Sequence, residues 1–565
     1  MNTAFSLKIH SKLFFGQADK PFFRQIIKDI RDHDSKMKLL KYFLLLSLLE
    51  LSGNFVAAQT YPDFTISQWD SASTGYYFLI PIRTGTGGPA QNATHMILDG
   101  HGNVVYFKEF VSGNNTGDFK IQDNGLISYS YQNKFYLMDS SFTVVDSVRC
   151  KNGIIQDGHD MQVLPNGHFL LLGWENLTMD LSAYPWFNNN GSAGSSTATV
   201  RSGVIQEQDA NKNVVFEWHA INHFNFSEVD TSRLNSPTNV DWTHLNSVGL
   251  DTDGNILASI RHFNEIIKID RSTGNILWRL GGKSNDFTFT NDTGMFIGQH
   301  DCRRLANGNI TLLDNGKPGH FVSGKEYQLD ENLMQATLVW SHCPDTGLFS
   351  SATGNMQRLT NDNTLLDYGM VDQLTTTFEV VNPAGDLIFQ IRFNDTLQTY
   401  RAFNYETLPW DLHRPVITCT EINQQYFLDA GPGHASYRWS TGETTQMIQV
   451  VDTGVYSVFV PKGTDGYISA EPFVVSNIAD PCNTSSVNIE QLDSDAQLVF
   501  PNPFFDKFHL LDPNPSHCVL MNCPGEILYQ GTEIEEQNFS NLASGLYFLK
   551  IHSGTKIQVV KILKR

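Results

Sequence analysis

The 565-residue chain carries little charge for its length and few cysteines. Only 17% of its residues are charged, whereas 41% are hydrophobic, 12% are aromatic and 43 are glycine. Low charge with many aromatics and turn formers is the profile of an all-β protein, not of a helical or disordered one. Basic residues are scarce: Lys+Arg number 39 against 59 Asp+Glu, for a net charge of −20. That balance excludes a protein that lives on nucleic-acid phosphates or anionic lipid, so no nucleic-acid partner is expected. The seven cysteines (150, 302, 343, 419, 482, 518, 523) are far apart and form no CxxC pair. A dense disulfide scaffold is excluded and a structural zinc site is disfavoured. The length exceeds one ordinary domain, so several are expected.

Long apolar runs are also missing, with one short exception near the start. Residues 36–58 read KMKLLKYFLLLSLLELSGNFVAA. Lys36, Lys38 and Lys41 precede an apolar core from Tyr42 to Leu51, and Val56-Ala57-Ala58 forms a small-residue cleavage site before Gln59. The core is short for a bilayer and contains Glu50, so a signal peptide is expected and no stable transmembrane helix. Residues 1–36 precede it unusually, which suggests a true start at Met37. Residues 1–58 are thus read as an extension plus signal, and 59–75 as a lead-in. Removing 1–58 leaves a mature chain of net charge −24. Such a chain is exported, either secreted or attached to the cell surface, where paired cysteines are permitted.

From 76 to about 407 one pattern recurs: strand, Asn/Asp/Gly-rich turn, strand. HMILDGHGNVVYF (95–107), FKIQDNGLISYSY (119–131) and GHDMQVLPNGHFLLLG (158–173) show it. So do THLNSVGLDTDGNILASIR (243–261), QHDCRRLANGNITLLDNG (299–316) and NMQRLTNDNTLLDYG (355–369). Their turns are of the type that hairpins need for positive φ. Several units close on an aromatic strand, such as NVVFEW (213–218) and NILWRL (275–280). A repeat of roughly 40–60 residues made of short strands signals a β-propeller, and six blades fit within 76–410.

Two smaller domains follow. Residues 411–483 alternate apolar and polar positions in YRWSTGETTQMIQVVDTGVYSVFV and read as an Ig-like β-sandwich, with Cys419 and Cys482 at its ends as candidates for a disulfide. After a polar linker, 484–497, comes LVFPNPFFDKFHL, and the chain ends in NFSNLASGLYFLKIHSGTKIQVVKILKR. The PNPF entry, the LASGLYFLKI strand and the basic VVKILKR end resemble the C-terminal sorting domain of the type IX secretion system of Bacteroidetes. The resemblance implies that 498–565 is a small β-sandwich read by the type IX secretion machinery.

Three histidines stand at corresponding places in the repeat. His159, His244 and His300 each precede a turn glycine (Gly167, Gly254, Gly308) by eight to ten positions, so they should converge where the inner strands begin. Period-two alternation puts Asn246 on the same face as His244 and turns Asp160 and Asp301 away. Arg261, at the other end of the hairpin from His244, supplies a fixed cation. His, Asn and Arg without clustered carboxylates suit an oxyanion better than a hard metal. Asp251 and Asp253 read as a hairpin turn, His101 as a turn residue and Trp278 as strand-end packing, while Lys283 is a candidate to approach the funnel.

DWTHLNSVGLDTDGNILASIRH (241–262), ILWRLGGKSNDF (276–287) and GQHDCRRLANGNITLLDNG (298–316) resemble the arylsulfotransferase family, in a shorter, divergent branch. The resemblance implies a propeller enzyme that moves a sulfuryl group from a phenolic sulfate donor to a phenol acceptor without a nucleotide or any other cofactor. It implies that His300 is the nucleophile, transiently sulfated, and that His244, His159, Arg261 and Asn246 surround the sulfuryl oxygens. His244 or His159 would then protonate the departing phenolate. Two alternatives remain open at this point: a surface-displayed propeller that binds a glycan or protein without chemistry, and a hydrolase in which water replaces the acceptor. Specificity is expected from the loops at 176–203 and 222–240.

Overall fold

The computed structural model describes residues 61–482 and 499–564 apart from short internal segments, the longest being 84–92 and 185–193. The expected signal region and most of the linker lie outside the described residues. Among the described residues the chain is all-β, with only short 3₁₀ turns between strands, and no helix is long and apolar enough to cross a membrane.

Among the described residues, six antiparallel sheets are each built on four strands running as a meander. Their inner strands are Thr116–Ile121, Ile155–Val163, Leu245–Leu250, His300–Arg304, Asn355–Arg358 and Leu397–Tyr405. Each inner strand contacts the next, and the last returns to the first, so the sheets close into a propeller-like ring. Closure uses both ends of the repeat. Leu397–Tyr405 is the inner strand of the sheet begun by Tyr76–Arg83, with Tyr405 opposite Tyr76 and Leu397 opposite Arg83. Phe64–Trp69, expected within a lead-in, instead adds a fifth strand to the outer edge of the last sheet, Phe64 opposite Phe393. Two distant stretches of sequence thereby pin the ring.

The strands form for the reasons visible in the repeat. Turn glycines 125, 167, 254 and 308 all have φ between 80° and 88°, a region that β-branched or bulky residues avoid. Apolar side chains between sheets then make the core. Trp218, Trp242, Phe263 and Ile267 pack together between two of the sheets, and Trp278, Leu280, Leu312 and Tyr327 between the next two. Trp278 is thus the strand-end packing expected. Truncating such a fully buried aromatic to Ala costs about 3–5 kcal/mol.

Of residues 176–203, expected as a loop, the two ends are strand: Phe169–Met179 and Ala198–Gln208 pair along their whole length, Met179 opposite Ala198. Residues 222–240 do form an irregular crossing with two 3₁₀ turns, Phe226–Glu228 and Thr231–Arg233. Lys283 anchors it by donating to the carbonyls of Ser227 and Val229, so its ammonium is spent on loop 222–240 and not on the funnel.

The next unit has its own core around Trp439, Ile448, Tyr456 and Val458, and Cys419 is disulfide-bonded to Cys482. Its strand Gly466–Ser469 pairs with Val104–Glu109, extending the first propeller sheet. Tyr106 leaves no room for a side chain at Gly466, where a Cβ would lie 2.3 Å from the phenol oxygen. The last unit pairs His517–Asn522 with Gly545–Ser553, and the latter with Lys556–Lys564.

Candidate active site

The inner strands lose register where the histidines sit. The pairing slips between Leu171 and Gly173 opposite His159, between Leu245 and Ser247 beside His244, and between His300 and Arg303. His244 has φ +52° and Asp301 +55°, so neither obeys the alternation expected of a straight strand. The slips bring Asp160 and Asp301 into ion pairs with channel cations, whereas Leu245, next to His244, packs into the apolar core between sheets.

The upper layer holds the expected residues. The His159 and His244 rings meet edge to face with centroids 4.9 Å apart, and His244 stacks on His262 at 4.7 Å. Arg261 lies beside His244, its backbone N–H donating to the His244 carbonyl at 3.0 Å. His300 senses the charges of Arg261, His244 and His159. Asn246 is fully buried, donates to the Gln299 carbonyl at 2.7 Å and leaves its Oδ1 without a partner. It therefore braces the residue next to His300.

The lower layer corrects the expectation for Asp160 and Asp301. Both turn inward beneath the histidines, joining Asp118, Lys120, Arg303 and Arg401. Lys120 bridges Asp118 at 2.8 Å and Asp160 at 2.6 Å. Arg303 bridges Asp160 at 2.8 Å and Asp301 at 2.5 Å, and Arg401 lies 2.9 Å from Asp118. Three carboxylates and three cations balance in a buried plug, which closes the channel and provides a floor for the upper layer. Below it is a cavity of about 230 Å³ lined by Lys120, Gln162, Arg303, Gln357, Arg358 and Phe403. Its cations are already paired, Arg358 with Glu326.

Four groups not anticipated from sequence set the chemistry of the histidines. Asp157 hydrogen-bonds His159 Nδ1, and Asp241 bonds His244 Nδ1 at 2.5 Å. Burial disfavours the His159 cation, but the Asp157 carboxylate outweighs it and raises the His159 pKa. At His244 burial wins over Asp241, and the pKa falls. His262 donates Nδ1–H to the Asp241 carbonyl at 2.7 Å, so its Nε2 accepts from Arg261 at 2.9 Å. Burial pushes His262 down to about 3, which keeps that lone pair available. Asn315 accepts from His300 Nδ1 at 2.6 Å, its amide orientation set by donation to Ser350 and to the Thr353 carbonyl. The His300 tautomer follows: Nδ1 carries the proton and Nε2 is a lone pair, 3.2 Å from the Thr353 N–H. Burial and then Arg261 hold its pKa well below the ordinary histidine value.

Some of this was readable. Asp157 and Asp241 stand two and three residues before their histidines, and His262 follows Arg261 directly. Asn315 directly follows the neighbouring strand Ile310–Asp314, and only the pairing of that strand brings it to His300.

Asp241, His244 and His262 place three metal-ligating atoms within 4.8 Å of one another. Both ring nitrogens of His262 are already engaged, one by a guanidinium, and that cation opposes a metal ion at the same place. Arg261, not this donor set, favours an anion. Arg261 makes no ion pair among the described residues, its Nε is buried without a partner, and burial lowers its pKa to about 10.

The arylsulfotransferase (ASST) family model matches residues 86–405, more than half of the chain. The chain belongs to the arylsulfotransferase family. A second family model, the secretion system C-terminal sorting domain, matches 498–565 and marks this arylsulfotransferase-family protein for export, to the cell surface or beyond. No curated protein matches the chain. Similar solved structures include a protein of unknown function from Bacteroides caccae, 12% identical, covering 58% of this chain and 98% of that one, with TM-score 0.38. A catalytically inactive virginiamycin B lyase from Staphylococcus aureus is 11% identical, with coverages of 64% and 98% and TM-score 0.29. The β-propeller domain of Myceliophteria thermophila Cps50 (Swd1) is 11% identical, with coverages of 69% and 96% and TM-score 0.31. Likeness at this level carries no chemistry from those proteins to this one.

Proposed function

We propose that the protein is a nucleotide-independent aryl sulfotransferase working through a sulfo-histidine on His300, with 76–410 as its catalytic domain. The observation that carries this reading is the state of His300: a neutral imidazole with Nδ1–H committed to Asn315 and Nε2 left as the nucleophilic lone pair, beside a guanidinium in no ion pair. The family match supports it, as does Arg261, which contacts no carboxylate among the described residues.

In the first half-reaction His300 Nε2 attacks sulfur while the sulfur–aryl oxygen bond breaks, its electron pair going to the phenolate. The Thr353 N–H yields Nε2 to the new S–N bond. His159 is the group best placed to protonate the phenolate, because Asp157 holds its Nδ1–H and favours the cation whose Nε2–H is then the acid. In the second half the acceptor phenol returns that proton to His159 and attacks sulfur, which releases neutral His300 with the electrons of the S–N bond. Arg261, oriented through His262, stabilises the charge spread over the sulfuryl oxygens; catalysis of this kind rests on positioning and electrostatics. His244, neutral at ordinary pH, keeps a lone pair on Nε2 and holds His159 in place.

The test is transfer from a chromogenic aryl sulfate to a second phenol. Phenol-dependent sulfated product is expected. Release of free sulfate that added phenol does not divert would make the protein a hydrolase, and no turnover would return the site to ligand binding.

A further inference from the structure

Loop 222–240 brings a second guanidinium to the site. Arg233 ends the turn Thr231–Arg233 and lies flat against Gly298, two residues before His300. A Cβ at Gly298 would stand 2.3 Å from its Nη2, so only glycine permits this approach. The same nitrogen donates to the Gly316 carbonyl at 3.3 Å, next to Asn315. Arg233 thus contacts the backbone two residues before His300 and one residue after Asn315.

Its charge is poorly compensated. Asp230 is 3.9 Å away, and its two oxygens already accept from Ser232 and from Asn264. The Arg233 Nε is buried without a partner, as is the Arg261 Nε. After burial, the charge of Arg233 is the next cause that lowers the Arg261 pKa, so the two cations repel each other across this space. Asp241 near Arg261, and Asp230 and Asp314 near Arg233, offset part of that repulsion. Arg261 donates from Nη1 to His262 and from Nη2 to the Ser351 carbonyl at 2.6 Å, which leaves one further N–H on each terminal nitrogen. Two half-buried guanidiniums that repel each other are stabilised most by an anion with several oxygens.

We propose that Arg233 is a second binding group for the sulfuryl oxygens, and that the tetrahedral sulfate head is seated between Arg233 and Arg261. The proposal rests on the reading that Arg261 faces the sulfuryl group, and it adds a residue from the crossing loop that neither the repeat nor the inner strands supply. The seat selects a tetrahedral oxyanion with at least three free or semi-free oxygens over a planar carboxylate, which offers two.

The experiment is calorimetric titration of the purified full-length protein with inorganic sulfate, with chloride at equal ionic strength as the control. Arg233→Gln and Arg261→Gln are each expected to weaken sulfate binding by about tenfold to a hundredfold, the value of charge-assisted hydrogen bonds. Arg233→Lys keeps the charge but not the fork and should fall between, which covers the case in which the glutamine variant folds poorly. Unchanged melting temperatures across the series would separate binding from stability. Wild-type affinity in both Arg233 variants, with loss only in Arg261→Gln, would overturn this proposal and leave the sulfotransferase reading standing. Indifference of sulfate to both arginines would overturn the two together.

Discussion

His159 and His244 meet edge to face with ring centroids 4.9 Å apart, each backed by its own aspartate, yet their proton affinities move in opposite directions. Asp157 overcomes burial at His159, whereas burial overcomes Asp241 at His244. Two like residues in contact are thereby assigned different states, one a proton holder and the other a lone pair. Sites that perform acid–base work near neutrality are built on such separations.

That separation should appear in the pH profile of transfer. His159 must be protonated and His244 neutral, so kcat/KM should fall on the acid side as His244 gains a proton and on the alkaline side as His159 loses one. Asp157→Asn removes the group that raises His159 and leaves burial, which lowers it. The alkaline limb should therefore move to lower pH, measured with a donor whose leaving group is poor. An unmoved limb would assign the acid elsewhere.

His300→Ala should abolish transfer to the uncatalysed background without loss of fold, and wild type quenched during turnover should carry acid-labile sulfate on the peptide containing GQHD. Arg261→Ala should slow transfer by roughly 10²–10³-fold and leave a trace, because it removes an electrostatic stabiliser and not the bond-forming atom. Full activity of His300→Ala would end the covalent mechanism.

Leaving-group dependence separates acid catalysis from sulfuryl binding. His159→Ala should hurt donors with basic leaving groups far more than activated ones, because only the former need the proton. Arg261→Ala should slow both classes to a similar degree. Equal loss across donors for His159→Ala would remove it as the acid.

Asp367 should make the propeller less stable as pH rises. It is fully buried, and burial pushes its carboxyl up to about 7, against hydrogen bonds from Thr399 and the Gly369 N–H. The folded state therefore holds a proton that the unfolded chain has lost above about 4, and stability declines from there to about 7. Asp367→Asn should flatten that decline and raise the melting temperature at pH 8 relative to wild type. A steeper decline in the variant would contradict the assignment.

Processing should remove both ends. Exported protein is expected to begin near Gln59 and to lack 498–565, as peptide mapping of secreted material would show. Recovery of the intact tail on exported protein would count against cleavage after sorting.

Much of this was legible before any coordinates. Strand-turn-strand periodicity and the positive-φ turn residues specify hairpins locally, and a repeat of hairpins specifies a ring. The sorting words at 498–565 and the family words around His244 and His300 are contiguous stretches, so a linear reading captures them. His159, His244 and His300 converge because they stand at equivalent positions on successive inner strands, and Arg261 joins them because its hairpin returns to His244. Tertiary structure decided what each of them does. The bulges that turn Asp160 and Asp301 into the ionic floor arise from packing around the channel axis, which alternation along one strand does not encode. The tautomer of His300 depends on Asn315 across a strand pair, and the charge beside Arg261 depends on Arg233 from a crossing loop. Protonation state is a property of burial and neighbours, and neighbours distant in the chain become defined only when the ring closes.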